Sequence, residues 1–402
     1  MKILVITQYF YPENFRINNL CIELKKRGHH ITVLTGIPNY PEGKYFEGYG
    51  VFKNRRQIWE DMQIIRVPLF PRLKGKIPMV LNYFSFALFG SVWSRFFCKE
   101  SYDIIYVFEV SPMTVCFPAI ALKKKTSTKI IMNVQDLWPE NIQAVTGLNN
   151  KFILRMIGKM VDYIYKNCDL ILTASKSFLV NIVNRGHSSD KVEFWPQYAD
   201  NIESSITNDF EIEKEFTGNF NIVFTGNIGF AQGLDVVVNA CELLKDHTDM
   251  KWHFVGDGRA RESLVKLAEE RGVLGLMKFW GRRPESEMPL FLKNADAALI
   301  VLKKDKIFEM TIPAKLQTYM AFSCPLISCA DGEVSDIINS AQCGLTANAG
   351  DYNKLAQITM ELKGRSEEEL FKMGDNAYQY LQENFNKKVL LDKLIDCFER
   401  LR

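Results

Sequence analysis

The chain has 402 residues, 47% apolar and 24% charged, a composition that supplies core for two or three globular domains and excludes a disordered or low-complexity protein. Its net charge of +3 hides an asymmetry: residues 1–200 carry 26 Lys and Arg against 16 Asp and Glu, while residues 201–402 carry 24 against 31, so the first half favours an anionic partner. Nine cysteines, an odd number scattered through apolar stretches with no C-x-x-C pair, exclude a disulfide framework and a zinc site and read as reduced core thiols of a cytosolic protein.

The first strand, Lys2–Thr7, is too short and too promptly interrupted for a signal peptide. The loop QYFYPENFRI follows, then a helix, NNLCIELKKRG, that stops at Gly28 with basic residues in its last turn, where the helix dipole favours them. HHITVLT (29–35) is the second strand. GIPNYPEGKYFEGYG (36–50) has no period and reads as a long ordered loop of the functional kind. A further strand, DMQIIRVP, leads into Leu69–Glu100, whose apolar core Ile77–Phe97 has the length of a bilayer span but is interrupted by Asn82, Ser85, Ser91, Ser94 and Arg95. With Arg72, Lys74 and Lys76 before it and Arg95 and Lys99 after it, this segment reads either as a helix lying on a membrane surface or as a half-buried helix packed on a sheet.

DIIYVF (103–108), KIIMNV (129–134) and DLILTA (169–174) alternate with helical patterns, which is the signature of a parallel sheet. Ligands of such sheets sit outside the carboxyl ends of the strands, where this chain has Glu109, Ser111 and Pro112, then Gln135–Glu140, then Ser175 and Lys176. Residues 192–216 turn polar and acidic and mark a domain boundary.

The pattern then restarts. IVFTGNIGFAQGLD (222–235) reads as strand, glycine-rich turn and helix, with Gly226, Gly229 and Gly233 spaced G-x-x-G-x-x-x-G. This is either an ordinary βα turn or a seat for a phosphate, with helix N–H groups from about Gly233 directed at the ligand. Such a loop at mid-chain implies two nucleotide-fold halves with the active site in the cleft between them. Strands near 251–255, 277–280, 296–301 and 325–329 follow, and a polar helical tail runs from about Ser366 to Arg402. Four strand-end segments converge: GNIGFAQG, GDGR, GRRP and KDKIFEMTIPAKLQTYMA. Gly229, Thr311, Lys315 and Arg282 would supply the N–H groups, hydroxyl and cations a diphosphate needs, although Arg282 and Arg283 each also read as solvated surface. Lys315 opens a helix just after Pro313, where a basic residue is unfavourable, and this points to a bound anion.

The order FTGNIGFAQGLD, FVGDGR, FWGRRP, F-x-x-TIPAKLQTYMAFSCPLI and DGEVSDIINSAQCG resembles the donor domain of retaining glycosyltransferase family 4. MKILVITQYFYPENFRINNL, LKKRGHHITVLTGIPNYPEG and DLWPEN resemble the acceptor domain of its O-antigen and capsule branch, the bacterial N-acetylfucosamine-type (amino-deoxysugar) transferases. The resemblance implies an α/β protein of GT-B fold: two Rossmann-like doubly wound parallel-sheet domains facing across a cleft. Residues 1–198 would bind acceptor, 199–384 would bind the nucleotide-sugar donor, and 385–402 would form a helix packing back toward the N-terminal domain. The implied donor is a UDP-sugar and the implied acceptor a saccharide on a polyprenyl diphosphate. The protein would be cytoplasmic and peripheral to the anionic inner face of the bacterial plasma membrane, with no nucleic-acid partner. With no D-x-D motif and no ligand spacing among its five histidines, neither an essential metal nor a further cofactor is expected.

Carried over by position, the family's pyrophosphate-binding Arg and Lys fall on Asn227 and Gln232, both uncharged, which leaves Lys315, supported by Arg282, as the replacement cation. The family's paired glutamates fall by spacing on Glu309 and Gln317, or, with the helix registered on YMA, on Met310 and Thr318; Glu309 is expected near the sugar and Thr318 near the ribose. Gly226, Gly229, Gly256 and Thr311 complete the donor set. Where the family often has His-Asp after its fourth strand this chain has Gln135-Asp136, so Asp136 is expected to contact the sugar or acceptor, or alternatively to cap the helix before LWPE. Glu13, Arg16, Asn39, Tyr40 and Glu140 complete the acceptor set. Asp136, Glu309 and Lys315 would carry the chemistry, a transfer with retained anomeric configuration in which the leaving phosphate oxygen takes the acceptor's proton. A sugar-nucleotide 2-epimerase of GT-B fold and an inactive nucleotide-binding scaffold are the competing readings.

Overall fold

Ile3, Leu4, Val5 and Ile6 are all fully buried, so the first strand has no solvent face and must be covered on both sides, as in a parallel sheet flanked by helices. The computed structural model describes residues 1–73, 75–199 and 209–402, with the backbone alone at Lys76 and Val145. The expected cation Lys74, and part of the boundary segment 192–216, lie outside the described residues. Two units are formed, Met1–Trp195 with Leu391–Arg402, and Pro196–Leu390.

The strands of the first unit are β1 (Lys2–Ile6), β2 (His30–Gly36), β3 (Arg56–Trp59), β4 (Met62–Val67), β5 (Ile104–Glu109), β6 (Lys129–Val134), β7 (Leu170–Thr173) and β8 (Val192–Phe194), in the order β3-β4-β2-β1-β5-β6-β7-β8. All neighbours are parallel except β3, which pairs antiparallel with β4, a departure from the all-parallel expectation. The two strands meet through a two-residue turn in which Glu60 and Asp61 have φ of 50° and 53°, the hairpin geometry normally supplied by Asn-Gly. The second unit holds β9 (Phe220–Thr225), β10 (Met250–Val255), β11 (Met277–Gly281), β12 (Ala297–Val301), β13 (Leu326–Cys329) and β14 (Gly344–Ala347), all parallel, in the order β11-β10-β9-β12-β13-β14. Its core runs through Phe224, Val237, Trp252, Phe254, Leu299 and Leu355. Strand order reverses between β1 and β5 in one sheet and between β9 and β12 in the other, where loops open outward and ligands of such sheets bind.

The segment after β4 is a helix, Lys76–Val92, that ends in a π turn, Trp93–Phe97. Its polar residues Asn82, Ser85 and Ser94 are buried, while Ile77, Val80, Leu81, Phe84, Leu88, Val92 and Phe96 are exposed on the opposite face. The end of the chain is not a polar tail. The helix Glu367–Asn384 starts from a Ser366–Glu369 capping box, but the following helix, Lys387–Leu401, buries Leu391, Leu394, Cys397 and Phe398. Phe398 meets the Tyr106 ring edge-on at 5.8 Å, and Arg400 pairs with Glu193. All nine cysteines are free and buried.

Candidate functional site

In the second unit the loop after β9 is locked to the loop after β10. Gly226 N–H donates to Val255 O at 2.9 Å, Ile228 N–H to Asp257 O at 2.9 Å, and Ala260 N–H to Ile228 O at 3.0 Å. Gly256 has φ of +143°, and a Cβ there would stand 1.9 Å from Gly226 O, so only glycine lets the two loops approach this closely. Gly226 and Asn227 are left exposed at the rim, with Gly229 behind them. The turn Phe230–Gln232 is 3-10, and the helix opens at Asp235 rather than at Gly233.

Against this loop lies the helix Ala314–Ala321. It is latched by Tyr319, a fully buried side chain whose hydroxyl accepts from Thr225 N–H at 2.8 Å at the carboxyl end of β9. The latch brings Lys315 to the loop: Nζ donates to Gln232 Oε1 at 2.8 Å and stands 3.8 Å from the centroid of the Phe224 ring. Burial pulls the Lys315 amine down to about 7, and no neighbouring carboxylate contributes to that shift. The fold therefore sets Lys315 and Gln232, 83 residues apart in the sequence, side by side.

Burial separates the four positions of the paired-glutamate registers. Gln317 is fully buried, and its amide satisfies the carbonyls of Pro313 and Ala314 at 3.1 and 3.2 Å, so it turns into the core. Met310 is also buried, which leaves Glu309 and Thr318 as the partly exposed members of the two registers. Glu309 ends the short helix Lys306–Glu309, and Gly332, at φ +67°, lets the loop after β13 approach: a Cβ there would meet Glu309 O at 2.1 Å. Thr311 and Thr318 both donate backward within their helical turns, to Ile307 O at 2.7 Å and Ala314 O at 3.1 Å, and so keep lone pairs for a ligand. Arg282 is exposed, whereas Arg283 is tied to Glu211, Glu287 and the Trp280 ring. His253 is buried in a chain from Trp280 Nε1 (3.2 Å) to Asn221 Oδ1 (3.0 Å), and burial lowers it to about 4, so it is a neutral core residue.

In the first unit the candidates gather at the carboxyl ends of β1, β2, β5 and β6. The Glu13 carboxylate accepts from Asn39 N–H at 2.8 Å, Tyr40 N–H at 2.7 Å and Phe10 N–H at 3.3 Å, joining the loops after β1 and β2. It is buried, and burial pushes it up to about 7 against those three donors. Asn39 Oδ1 in turn accepts from Arg72 N–H at 3.0 Å. Tyr40, partly exposed, is tilted against Tyr9 and Phe15 at 5.5 Å. Arg16 starts the helix Arg16–Lys26 and stays partly exposed.

Asp136 does not cap a helix. The helix Glu140–Thr146 has Pro139 at its cap, and the Asp136 carboxylate accepts instead from Ser111 N–H at 2.8 Å, bridging the loops after β5 and β6. Asp136 N–H donates to Glu109 Oε2 at 3.2 Å, and Glu109 Oε1 meets no hydrogen-bond partner among the described residues. Burial raises Asp136 and, far more, Glu109, which is fully enclosed and also feels Asp136. Glu140 Oε1 accepts from Asn181 Nδ2 at 3.4 Å.

Arg72 is the largest correction. Expected on a basic membrane-facing surface, it is half-buried, its guanidinium among the rings of Tyr9, Tyr40 and Tyr83. The sequence gives a basic run there and no sign of which way it turns.

Residues 205–380 match the family described as "Glycosyl transferases group 1", and residues 15–200 match "Glycosyltransferase Family 4". Among curated relatives, the chain is 25% identical to WcaI of Escherichia coli K12, named for colanic acid biosynthesis, over 80% of this chain and 81% of that protein. It is 25% identical to the glycosyltransferase WbjE of Pseudomonas aeruginosa over 68% of each. Among solved structures, sucrose-phosphate synthase from Thermosynechococcus elongatus aligns with a TM-score of 0.77 at 14% identity, over 100% of this chain and 98% of that one. Anabaena HepE in complex with UDP-glucose aligns with a TM-score of 0.71 at 13% identity over the whole of both chains. With one family matching each sheet-bearing part of the sequence, the chain is built of a glycosyltransferase family 4 domain followed by a glycosyl transferases group 1 domain, in the GT-B fold.

Proposed function

We propose that the protein transfers a sugar from a UDP-sugar to a saccharide carried on a polyprenyl diphosphate, with retention, at the inner face of the bacterial plasma membrane during O-antigen or capsule synthesis. The observation that carries this reading is the Lys315 ammonium seated on the glycine loop of the second unit with, among the described residues, no carboxylate to neutralise it. A cation held half out of water beside a glycine loop can stabilise the charge of a departing diphosphate. The UDP-glucose complex of HepE and the polysaccharide names of WcaI and of the amylovoran transferase AmsK of Erwinia amylovora support the donor and the pathway class. The sugar, an N-acetyl-amino-deoxyhexose such as N-acetylfucosamine, follows from the sequence resemblance.

Glu309 then faces the sugar and Thr318 the ribose, while Asp136 orients the sugar or acceptor hydroxyl. The leaving phosphate oxygen takes the acceptor's proton, so no separate base is required. The exposed apolar face of the helix Lys76–Val92 supports peripheral membrane attachment, since its polar residues are turned inward.

The test is a panel of labelled UDP-sugars with a polyprenyl-diphosphate saccharide acceptor, with the product's anomeric configuration read by NMR. Retained configuration in a lipid-linked product is expected. Epimerised donor without transfer, or UDP binding without turnover, would replace the reading with one of its two competitors.

A further inference from the structure

Arg72 is placed by the two loops around it. Its own N–H is held by Asn39 Oδ1 at 3.0 Å, which ties the chain leaving β4 to the chain leaving β2. Nη1 donates to Tyr9 Oη at 3.4 Å, and among the described residues Nη2 reaches only Met79 Sδ at 3.9 Å. The guanidinium carbon stands 5.5 Å from the Tyr40 centroid and 5.7 Å from the Tyr83 centroid. Among the described residues no carboxylate meets it. Aromatic faces stabilise the charge but accept few of its hydrogen bonds, so most of a five-donor fork is left over. A guanidinium withdrawn from water without a counter-ion is costly, and its planar fork fits one kind of ligand well: a carboxylate or phosphate taken in bidentate fashion.

The surrounding acids do not cancel this charge. Burial pushes Glu13 up to about 7 and raises Asp136 and Glu109 as well, and the groups that act on Arg72 are the hydroxyls of Tyr9, Tyr83 and Tyr40 and none of these three acids. The helix Lys76–Val92, which brings Met79 and Tyr83 to this cage, also carries an apolar face. Asn82 accepts from Gln8 Nε2 at 2.6 Å and donates to Phe70 O at 2.6 Å, while Ile77, Val80, Leu81 and Phe84, on the other side of the same helix, are exposed.

We propose that Arg72, with the Tyr9 hydroxyl and the Tyr40 and Tyr83 rings, binds a phosphate of a diphosphate ester whose hydrocarbon tail lies along the exposed face of the helix Lys76–Val92. This rests on the reading of the acceptor as a lipid diphosphate, and gives that lipid's head group a defined seat on the first unit.

The experiment is titration calorimetry of the full chain with farnesyl diphosphate, farnesol and inorganic pyrophosphate, in excess UDP to fill the nucleotide loop. Farnesyl diphosphate is expected to bind at least tenfold more tightly than either of the others. Arg72→Ala and Arg72→Gln should weaken it tenfold or more, with Arg72→Lys in between because it restores charge without the fork. Folded Arg72→Ala and Arg72→Gln proteins that bind like wild type would overturn the assignment. So would a wild-type protein that does not tell farnesyl diphosphate from farnesol, an outcome that needs no variant to fold. Equal affinity for pyrophosphate would overturn the placing of the tail, and loss of binding in Lys315→Ala would move the ligand to the nucleotide loop. Since no sugar is transferred in any arm, Arg72-dependent binding stands even if the enzyme proves to use a different acceptor.

Discussion

Lys315 Nζ lies 2.8 Å from Gln232 Oε1, so an ammonium from the helix Ala314–Ala321 is held by an uncharged amide from the glycine loop, with the Phe224 ring beneath it. The pair keeps a cation at the glycine loop without a salt bridge to quench it. Lys315→Met is therefore expected to lower the affinity for UDP by roughly 10- to 150-fold, the worth of a charge-assisted contact of about 1.5–3 kcal/mol. The same substitution removes a desolvated amine from an apolar seat, so the melting temperature should stay equal or rise. Calorimetric titration with UDP and a thermal melt check both. Unchanged UDP affinity in a folded variant would remove Lys315 from the donor site.

The pH dependence follows from the same amine. Burial lowers it to about 7 in the free protein, and a bound diphosphate raises it again, so donor binding takes up a proton. Below pH 7 the amine is already charged and affinity is full; above pH 7 affinity for a UDP-sugar should fall, by up to tenfold per pH unit until the bound-state value is passed. A nucleotide sugar is the right probe, because its diphosphate diester loses no proton in that range. Calorimetry in two buffers of different ionisation enthalpy at pH 8 should show proton uptake in wild type and none in Lys315→Met.

The fold was legible wherever strands were buried on both faces. The stretches around Ile3–Ile6, Ile104–Phe108 and Ala297–Val301 are continuous apolar runs, which local sequence marks plainly. β3 was not legible, because its turn places Glu60 and Asp61 at positive φ without Asn or Gly. β8 has three residues and β14 begins on a glycine, and both are strands only because a neighbouring strand is already there. For the site, the glycine loop and Lys315 were visible as local pattern. The cage around Arg72 and the latch at Tyr319 were not, because which way each side chain points is decided by residues far away in the chain, Tyr9 and Tyr83 for one and Thr225 for the other; Glu109 was visible as a strand-end candidate, but its contact with Asp136 was not.

Asp136→Asn separates charge from architecture. Asn can present its own oxygen to Ser111 N–H at the present 2.8 Å, so the bridge between the loops after β5 and β6 is kept. A fall in kcat/KM of tenfold or more with an unchanged melting curve is expected if the carboxylate touches the sugar or acceptor. Matched losses of stability and activity would make Asp136 a loop bridge and nothing more.

Transfer should survive EDTA. The sequence has no D-x-D motif, and on the proposed reading Lys315 supplies the charge that a divalent ion would offer the diphosphate. Loss of activity in EDTA, restored by Mg²⁺ or Mn²⁺, would assign leaving-group stabilisation to a metal instead.

Membrane attachment is expected to depend on apolar contact more than on the basic run before the helix. Arg72 is turned into its tyrosine cage, so it does not belong to an outward-facing basic surface beside the helix. What faces outward is Ile77, 75% exposed, then Phe84 at 56%, Leu88 at 60% and Phe96 at 71%, a stripe with helical spacing whose polar counterparts Asn82, Ser85 and Ser94 are inside. A soluble helix packed on a sheet has the opposite arrangement, so the stripe needs an apolar environment that the first unit does not supply. Each such side chain contributes about 1.5–3 kcal/mol on full burial. Phe84→Ser with Leu88→Ser should therefore release most of the protein from vesicles of mixed anionic and neutral phospholipid, while leaving hydrolysis of the free donor and the melting temperature unchanged. Because the contact is mainly apolar, raising the salt from 0.1 to 0.5 M should weaken vesicle binding in wild type far less than the double substitution does. Co-sedimentation reads both. Full release by salt alone, with the serine variant still bound, would return the attachment to the basic residues and leave the stripe without a lipid role.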